Sequence, residues 1–468
     1  MAVFFFESVI VNLSYILMTQ RSIFKILFYI SIASSIYFLI TVEFLQIRER
    51  VEYLFYYFLN SLIILFYIFF IKSKKYSEFF FISIIAILLS FYFFEIYNSF
   101  LKINQLRSKI EKTDISKINF YKKNKKINDN TIIGFHLFAY LKDEKKFLPL
   151  THKSKSNIIM CNENGYYSKF TSDRYGFNND DRVWNENVKK ILLIGDSFVQ
   201  GSCVNRPDNI NSRLRKLNNS YNFINFGIGG TSIINQYAIM KEFYPKNVNK
   251  VFLFYYEGND LSELKDEVKN PILLKYFNNE NFSQDLKSKI NLSDQIYKKF
   301  FVLEKKNYLI KNSKKNIQNK EKNQKLFLKI PVDILLFKNT RKLITFLARD
   351  SVNKDYSNYE VSLYEKTLLK FKKFVEKNNG ELIFVYLPEW SRYNSFKYYK
   401  NRLRTFDDYY YKKIINIVKK NEIKIIDIHQ SLFLEEKDPL NCFPYKESGH
   451  YNKKCYFKIS SIINKSLN

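Results

Sequence analysis

Five short, largely apolar runs constrain the fold of the chain most: Lys190 to Ile194, Phe223 to Phe226, Val251 to Tyr256, Leu382 to Leu387 and Ile423 to Ile428. Continuous runs of this length suit strands buried on both faces of a parallel sheet. Between them lie helix-compatible stretches, Asn209 to Leu217, Ile233 to Phe243, Tyr359 to Asn378 and Phe406 to Lys420. Strand alternating with helix predicts a doubly wound α/β domain over 189–468. One connection breaks the rhythm. Residues 261–358 far exceed a usual crossover and contain the low-complexity "EKKNYLIKNSKKNIQNKEKNQK". They read as an insertion, in the first instance a variable surface excursion, in the second a lid or membrane-facing cap.

The first hundred residues have a different character. Ser22 to Val42, Tyr53 to Ile71 and Phe79 to Tyr97 each approach the ~20 residues a helix needs to cross a bilayer, with few charges inside. They predict three transmembrane helices in a membrane region over 1–100. The opening "MAVFFFESVIVNLSYILM" carries Glu7 and Asn12 and reads as an interfacial helix. It lacks the basic start of a cleavable signal. Arg21, Lys25 and "KSKK" at Lys72 to Lys75 place the N-terminus in the cytoplasm, which puts the large C-terminal part outside. Residues 101–130 read as a helical stalk. Residues 131–188, ending in "TSDRYGFNNDDRVW", read as a small, strand-rich lead-in.

Charge narrows the function less than its total suggests. The chain of 468 residues has a net charge of +30. The excess is mostly lysine, spread along the whole length, so it reads as solvated surface and gives no reason to expect a nucleic-acid partner. Four cysteines, Cys161, Cys203, Cys442 and Cys455, lie too far apart for a close-paired metal signature, so neither metal nor cofactor is expected. A disulfide such as Cys442 with Cys455 is compatible with an extracytoplasmic site.

In open α/β sheets ligands sit beyond the carboxyl ends of the strands. Those ends carry "GDS" after the first strand, "NFGIGGTS" after the second, "EGND" after the third and "PYKESGHYN" after the fifth. Ser197 then stands at a strand-to-helix turn whose first N–H groups lack helical partners. A serine hydroxyl is a poor nucleophile until an imidazole takes its proton, and His450 can supply it. The N–H groups of Ser197 and Gly230 with the Asn259 amide would make three donors for a tetrahedral oxyanion. The bland alternatives are an N-cap serine at Ser197 and loop-fixing roles for Asp196 and Asp260. His429, next to Asp427, competes with His450. His136 and His152 precede the α/β domain and read as surface residues.

"GDSFVQG", the Gly230 region, "GND" at Gly258 to Asp260 and His450 followed by Asn452 resemble, in order, the four blocks of the SGNH (GDSL-type) hydrolases. "SDRYGFNN" looks like the segment preceding that block in membrane-tethered bacterial members. The resemblance implies a flavodoxin-like three-layer fold, Ser197 as nucleophile, His450 as general base, and an oxyanion hole of Ser197, Gly230 and Asn259. Two positions depart from the pattern. The family's Asp three residues before the His is Glu447 here, so the acid is Glu447, with a backbone carbonyl or Asp438 as alternatives. The first Gly of the "GxND" block is Glu257. The expected activity is that of a membrane-anchored serine esterase acting on an acylated carbohydrate or lipid. An O-acyltransferase working with a membrane partner, or a non-catalytic binding module, are the alternatives.

Overall fold

The computed structural model describes residues 117–307, 332–341, 358–393 and 408–467, preceded by 86–100 and a few positions between 28 and 83. The expected spans 22–42 and 53–71 lie outside the described residues apart from isolated positions, and so do the opening segment, the "KSKK" loop and residues 101–116 of the expected stalk. Of 79–97, positions 82–83 and 86–97 are helical. Among the described residues no helix is long and apolar enough to cross a membrane.

The chain divides into two compact units, residues 1–106 with 319–350, and residues 107–318 with 351–468. In the first, Glu95 is fully buried, and its carboxylate accepts the backbone N–H groups of Asn339, at 3.0 Å, and Thr340, at 2.5 Å. Phe337 packs its ring on Phe91 and Tyr92. The distal part of the insertion therefore groups with N-terminal residues.

The second unit is built on the five predicted strands: β4 (Lys190–Ile194), β5 (Asn222–Asn225), β6 (Val248–Tyr256), β7 (Glu381–Leu387) and β8 (Lys424–Asp427). They form one sheet in the order β5-β4-β6-β7-β8, every pairing parallel. This is the flavodoxin-type order, in which the direction of winding reverses beside the first strand and opens a crevice at the carboxyl ends. The largely apolar runs of β4 to β7 follow from burial on both sides, while the edge strand β8 is half-exposed. Leu192 and Ile194 face one core with helices α4 (Ile233–Phe243) and α7 (Asn358–Lys377). Ile191 and Leu193 face the other with α3 (Ile210–Leu217) and α9 (Lys453–Lys465).

Three segments outside that alternation shape the site. The lead-in follows α1 (Lys117–Ile127) and forms a small sheet of β1 (Thr131–Ile133), β2 (Asn157–Ile159) and β3 (Lys169–Thr171). Buried Asp173 organises its last turn by accepting from Tyr175 N, Phe177 N, Asn179 Nδ2 and Trp184 Nε1. Asn178 and Asn179 then stitch that turn to the backbone of Gln200 and Asn225. The early insertion is no surface excursion. Helices α5 (Asp260–Glu267) and α6 (Pro271–Asn278), and the helix at 290–307, place Leu264, Leu273, Tyr276 and Tyr297 in the main core.

Candidate active site

Strand β4 delivers Ser197 by a sharp exit. Asp196 caps the one-turn helix α2 (Ser197–Gln200) by accepting from Phe198 N at 2.9 Å. Gly201 closes the turn at φ +78, where a Cβ would lie 2.4 Å from that of Asn209. Only glycine accommodates both the left-handed backbone and that approach.

His450 arrives from the far end of the chain. Asn452 caps α9 by accepting from Lys454 N and Cys455 N, and a Cys442–Cys455 disulfide ties off the loop before it. The imidazole Nε2 stands 2.8 Å from Ser197 Oγ. Its other nitrogen, Nδ1, is 3.1 Å from both carboxylate oxygens of Glu163, whose Oε2 also accepts the His450 backbone N–H at 2.6 Å. With Nδ1–H donating to the carboxylate, the Nε2 lone pair is left for the serine proton.

The carboxylate on His450 is therefore Glu163, from the lead-in, where the sequence reading has Glu447. Glu447 sits in the turn after Pro444, its N–H donating to the Pro444 carbonyl. Asp438 caps the Pro439 turn and pairs with Lys446. The signal for Glu163 was a cysteine pattern. Cys161, two residues before it, is disulfide-bonded to Cys203, six residues after the serine. Asn164 reinforces the tie by donating to the Cys203 carbonyl at 2.9 Å. Each remote partner of Ser197 is thus held by its own disulfide. Cys161, Cys203, Glu163 and His450 are also close enough to suggest metal ligation. With the two sulfurs bonded to each other, a metal would find only a carboxylate and an imidazole already engaged with its neighbours.

The three expected oxyanion donors line one cavity with Ser197 and His450, of about 770 Å³. The backbone N–H groups of Ser197 and Gly230 donate to no protein acceptor among the described residues. Gly230 lies at φ +72, and a Cβ there would stand 2.4 Å from His136 Nδ1. The neighbouring Gly229 N–H is taken by Gln200 Oε1 at 2.9 Å. Gln200 in turn meets His152, whose Nδ1 lies 3.2 Å from Tyr297 Oη. His152 is buried, contrary to its reading as a surface residue, and burial pushes its pKa down to about 3. As a neutral ring it accepts from the Gln200 amide and donates to Tyr297. His136 is exposed, as expected, but belongs to the cavity wall.

His429 takes no part. Its Nδ1 bonds to Tyr393 Oη at 2.7 Å, and burial, with Arg392 nearby, lowers its pKa to about 4. Glu257 has a structural reason for replacing glycine: it pairs with the buried Arg392 guanidinium and accepts the Glu389 N–H.

Behind Ser197 lies an acidic layer. Burial raises the Asp196 carboxyl, against the lowering influence of the Phe198 N–H, His450, Ser197 and Asn259. Burial and Asp196 raise Asp260. Glu263 and Glu267 are each raised to about 8, chiefly by burial. Glu267 caps α4 through Ser232 N, Ile234 N and Asn235 N.

The chain is similar in structure to lipolytic proteins of the G-D-S-L type. A lipase/acylhydrolase from Enterococcus faecalis is 10% identical, covering 60% of this chain and 95% of its own, with a TM-score of 0.31. A member of the lipolytic protein G-D-S-L family from Veillonella parvula DSM 2008 is 12% identical, covering 59% and 97%, with a TM-score of 0.29. An acetyl xylan esterase, AlAXEase, is 12% identical, covering 60% and 100%, with a TM-score of 0.30. No family model and no curated protein matches the sequence.

Proposed function

We propose that this protein is a serine esterase that cleaves an ester through an acyl-enzyme. The observation that carries the reading is the unbroken relay from Glu163 through His450 to Ser197, at 3.1 Å and 2.8 Å. Ser197 Oγ attacks the ester carbonyl carbon while its proton passes to His450 Nε2. Glu163 orients the ring and stabilises the imidazolium. The carbonyl oxygen becomes an oxyanion held by the N–H groups of Ser197 and Gly230 and by the Asn259 amide. Collapse breaks the ester C–O bond, and the leaving alkoxide takes the proton from His450. Water then repeats the sequence on the acyl-enzyme, returning the carboxylic acid and free Ser197.

The rival idea of a non-catalytic binding module drew on Glu447 and Glu257. Both departures lose their force here, since Glu163 meets His450 and Glu257 serves Arg392. The cavity is lined by Lys117, Glu304, Tyr140 and Asn259 as well as Phe135 and Phe198, which suits an acylated carbohydrate better than a purely apolar lipid. Membrane anchoring rests on the apolar N-terminal runs, and two disulfides favour a position outside the cytoplasm.

An O-acyltransferase would form the same intermediate and pass the acyl group to a sugar hydroxyl, with a membrane partner supplying the donor. Trapping the acyl-enzyme and offering water against glycan acceptors tests the proposal. Discharge by water at least as fast as to any glycan supports the esterase; faster turnover with a glycan would overturn it.

A further inference from the structure

Asn259 occupies the N-cap position of α5, where an asparagine ordinarily turns its side-chain oxygen to the first helical N–H groups. Here it does not. No cap bond forms, Oδ1 is buried without a hydrogen-bond partner, and Nδ2 donates instead to Glu263 Oε1 at 2.8 Å, one turn along the helix. Glu263 itself lines the catalytic cavity, and its Oε2 is buried with no partner. Among the described residues it caps no helix and forms no ion pair.

We propose that Glu263 is a positioning residue for the oxyanion hole: it engages one N–H of the Asn259 amide so that the second is turned towards Ser197. The inference rests on the serine esterase reading, since only that chemistry needs the second N–H. Its direction is supported by Asp196, whose Oδ2 lies 3.4 Å from Ser197 Oγ and whose carboxyl is lowered by the Asn259 amide. The amide therefore spans from Glu263 to the serine side of the cavity.

A carboxyl is suited to this task only where it stays protonated. Burial, followed by the charges of Asp196, Glu267 and Asp266, raises Glu263 to about 8, against the lowering hydrogen bond from Asn259. Asp260 lies on the same helix and is raised in turn by Glu263. Below about pH 8 the group accepts from Asn259 without setting a full negative charge beside a developing oxyanion. Above it, the ionised carboxylate opposes that oxyanion through a poorly screened interior.

The test compares Glu263→Leu and Glu263→Gln in the full chain, with 4-nitrophenyl acetate as substrate and thermal melting to confirm folding. Leucine removes the acceptor and is expected to lower kcat by about tenfold to a hundredfold, less than outright loss of an oxyanion donor, with KM within about threefold. Glutamine keeps an acceptor oxygen and is expected to restore kcat to within about threefold at pH 7 and to abolish an alkaline fall near pH 8. In an Asn259→Ala background the leucine change is expected to add nothing. Wild-type kcat in the leucine variant, or an equal further loss in the Asn259→Ala background, would overturn the proposal. A crystal structure of the leucine variant reads the amide without any turnover: a rotated Asn259 supports the proposal and an unmoved one overturns it. Lack of Ser197-dependent turnover in the wild type would count against the esterase reading alone, and the amide orientation would still decide the role of Glu263.

Discussion

Glu163 and His450 are separated by 287 residues of chain, yet both carboxylate oxygens of the one stand 3.1 Å from Nδ1 of the other. A carboxylate in that place fixes the ring tautomer and stabilises the imidazolium, and its loss from a comparable triad costs about 10⁴ in kcat. Glu163→Gln is therefore expected to lower kcat by about 10² to 10⁴. Glu447→Gln should leave it within about threefold. Steady-state kinetics of the two variants on one ester distinguish the two acids; a larger loss at Glu447 would refute the assignment.

The Cys161–Cys203 disulfide sits between Glu163 and the serine turn, whereas Cys442–Cys455 ties the loop carrying His450. The loop entropy each removes from the unfolded chain contributes about 4 kcal/mol to stability for the first and about 3 kcal/mol for the second. The double variant Cys161→Ser/Cys203→Ser is expected to lose activity as well as stability, because Glu163 is freed. Adding Glu163→Gln to it should then cost little more. Melting temperature and kcat measured together test this, and full activity in the double variant would contradict it.

Gln200 binds the Gly229 N–H and is backed by His152, so it holds the turn that presents Gly230. Gln200→Ala is expected to reduce kcat by about tenfold to a hundredfold, short of losing a donor, with little change in KM. A rise in KM alone would assign Gln200 to substrate binding instead.

Stability should fall on the alkaline side. Glu263 and Glu267, raised to about 8 when folded, are ionised in the unfolded chain from about pH 4.5 upward. Between those values the folded state binds more protons, so the contribution of these two groups is full below pH 4.5 and is lost as pH rises towards 8. His152 and His429, lowered to about 3 and about 4, act in the opposite sense. Their contribution is complete above about pH 6.5 and is lost on acidification. From pH 6.5 to 8 the histidine contributions are constant, and Glu263 and Glu267, with Asp196 and Asp260 raised in the same sense, lower stability. Unfolding free energies from denaturant titration are expected to drop over that interval by about 1 kcal/mol per pH unit or more, with a smaller drop in Glu263→Gln. A flat profile would contradict the burial of these groups.

The α/β unit was legible because most of its strands are buried on both faces: the runs at Ile191, Phe223, Val251 and Leu382 carry that burial as largely apolar sequence, whereas the half-exposed edge strand at Ile425 carries Lys424 and Asp427. That Ser197, His450, Gly230 and Asn259 line one cavity was legible because each stands at a strand end or loop of that alternation. Glu163 was not. Its position depends on a cross-link between two cysteines 42 residues apart, and on a lead-in fold held by the polar turn around Asp173. Neither leaves a periodic trace. His152 looked like a surface residue for the same reason: its burial comes from Tyr297, in a segment whose weak periodicity concealed helices that join the core. Glu263 belongs to an ordinary-looking helix start, and only the side-chain bond from Asn259 sets it apart.

The most direct measurement is covalent labelling of the intact protein with a fluorophosphonate, with the modified peptide identified by mass spectrometry. The account predicts one adduct, on Ser197, formed at a rate that falls by at least about a hundredfold in His450→Ala and substantially in Glu163→Gln. Labelling elsewhere, or a rate on Ser197 unchanged by loss of the imidazole, would contradict it.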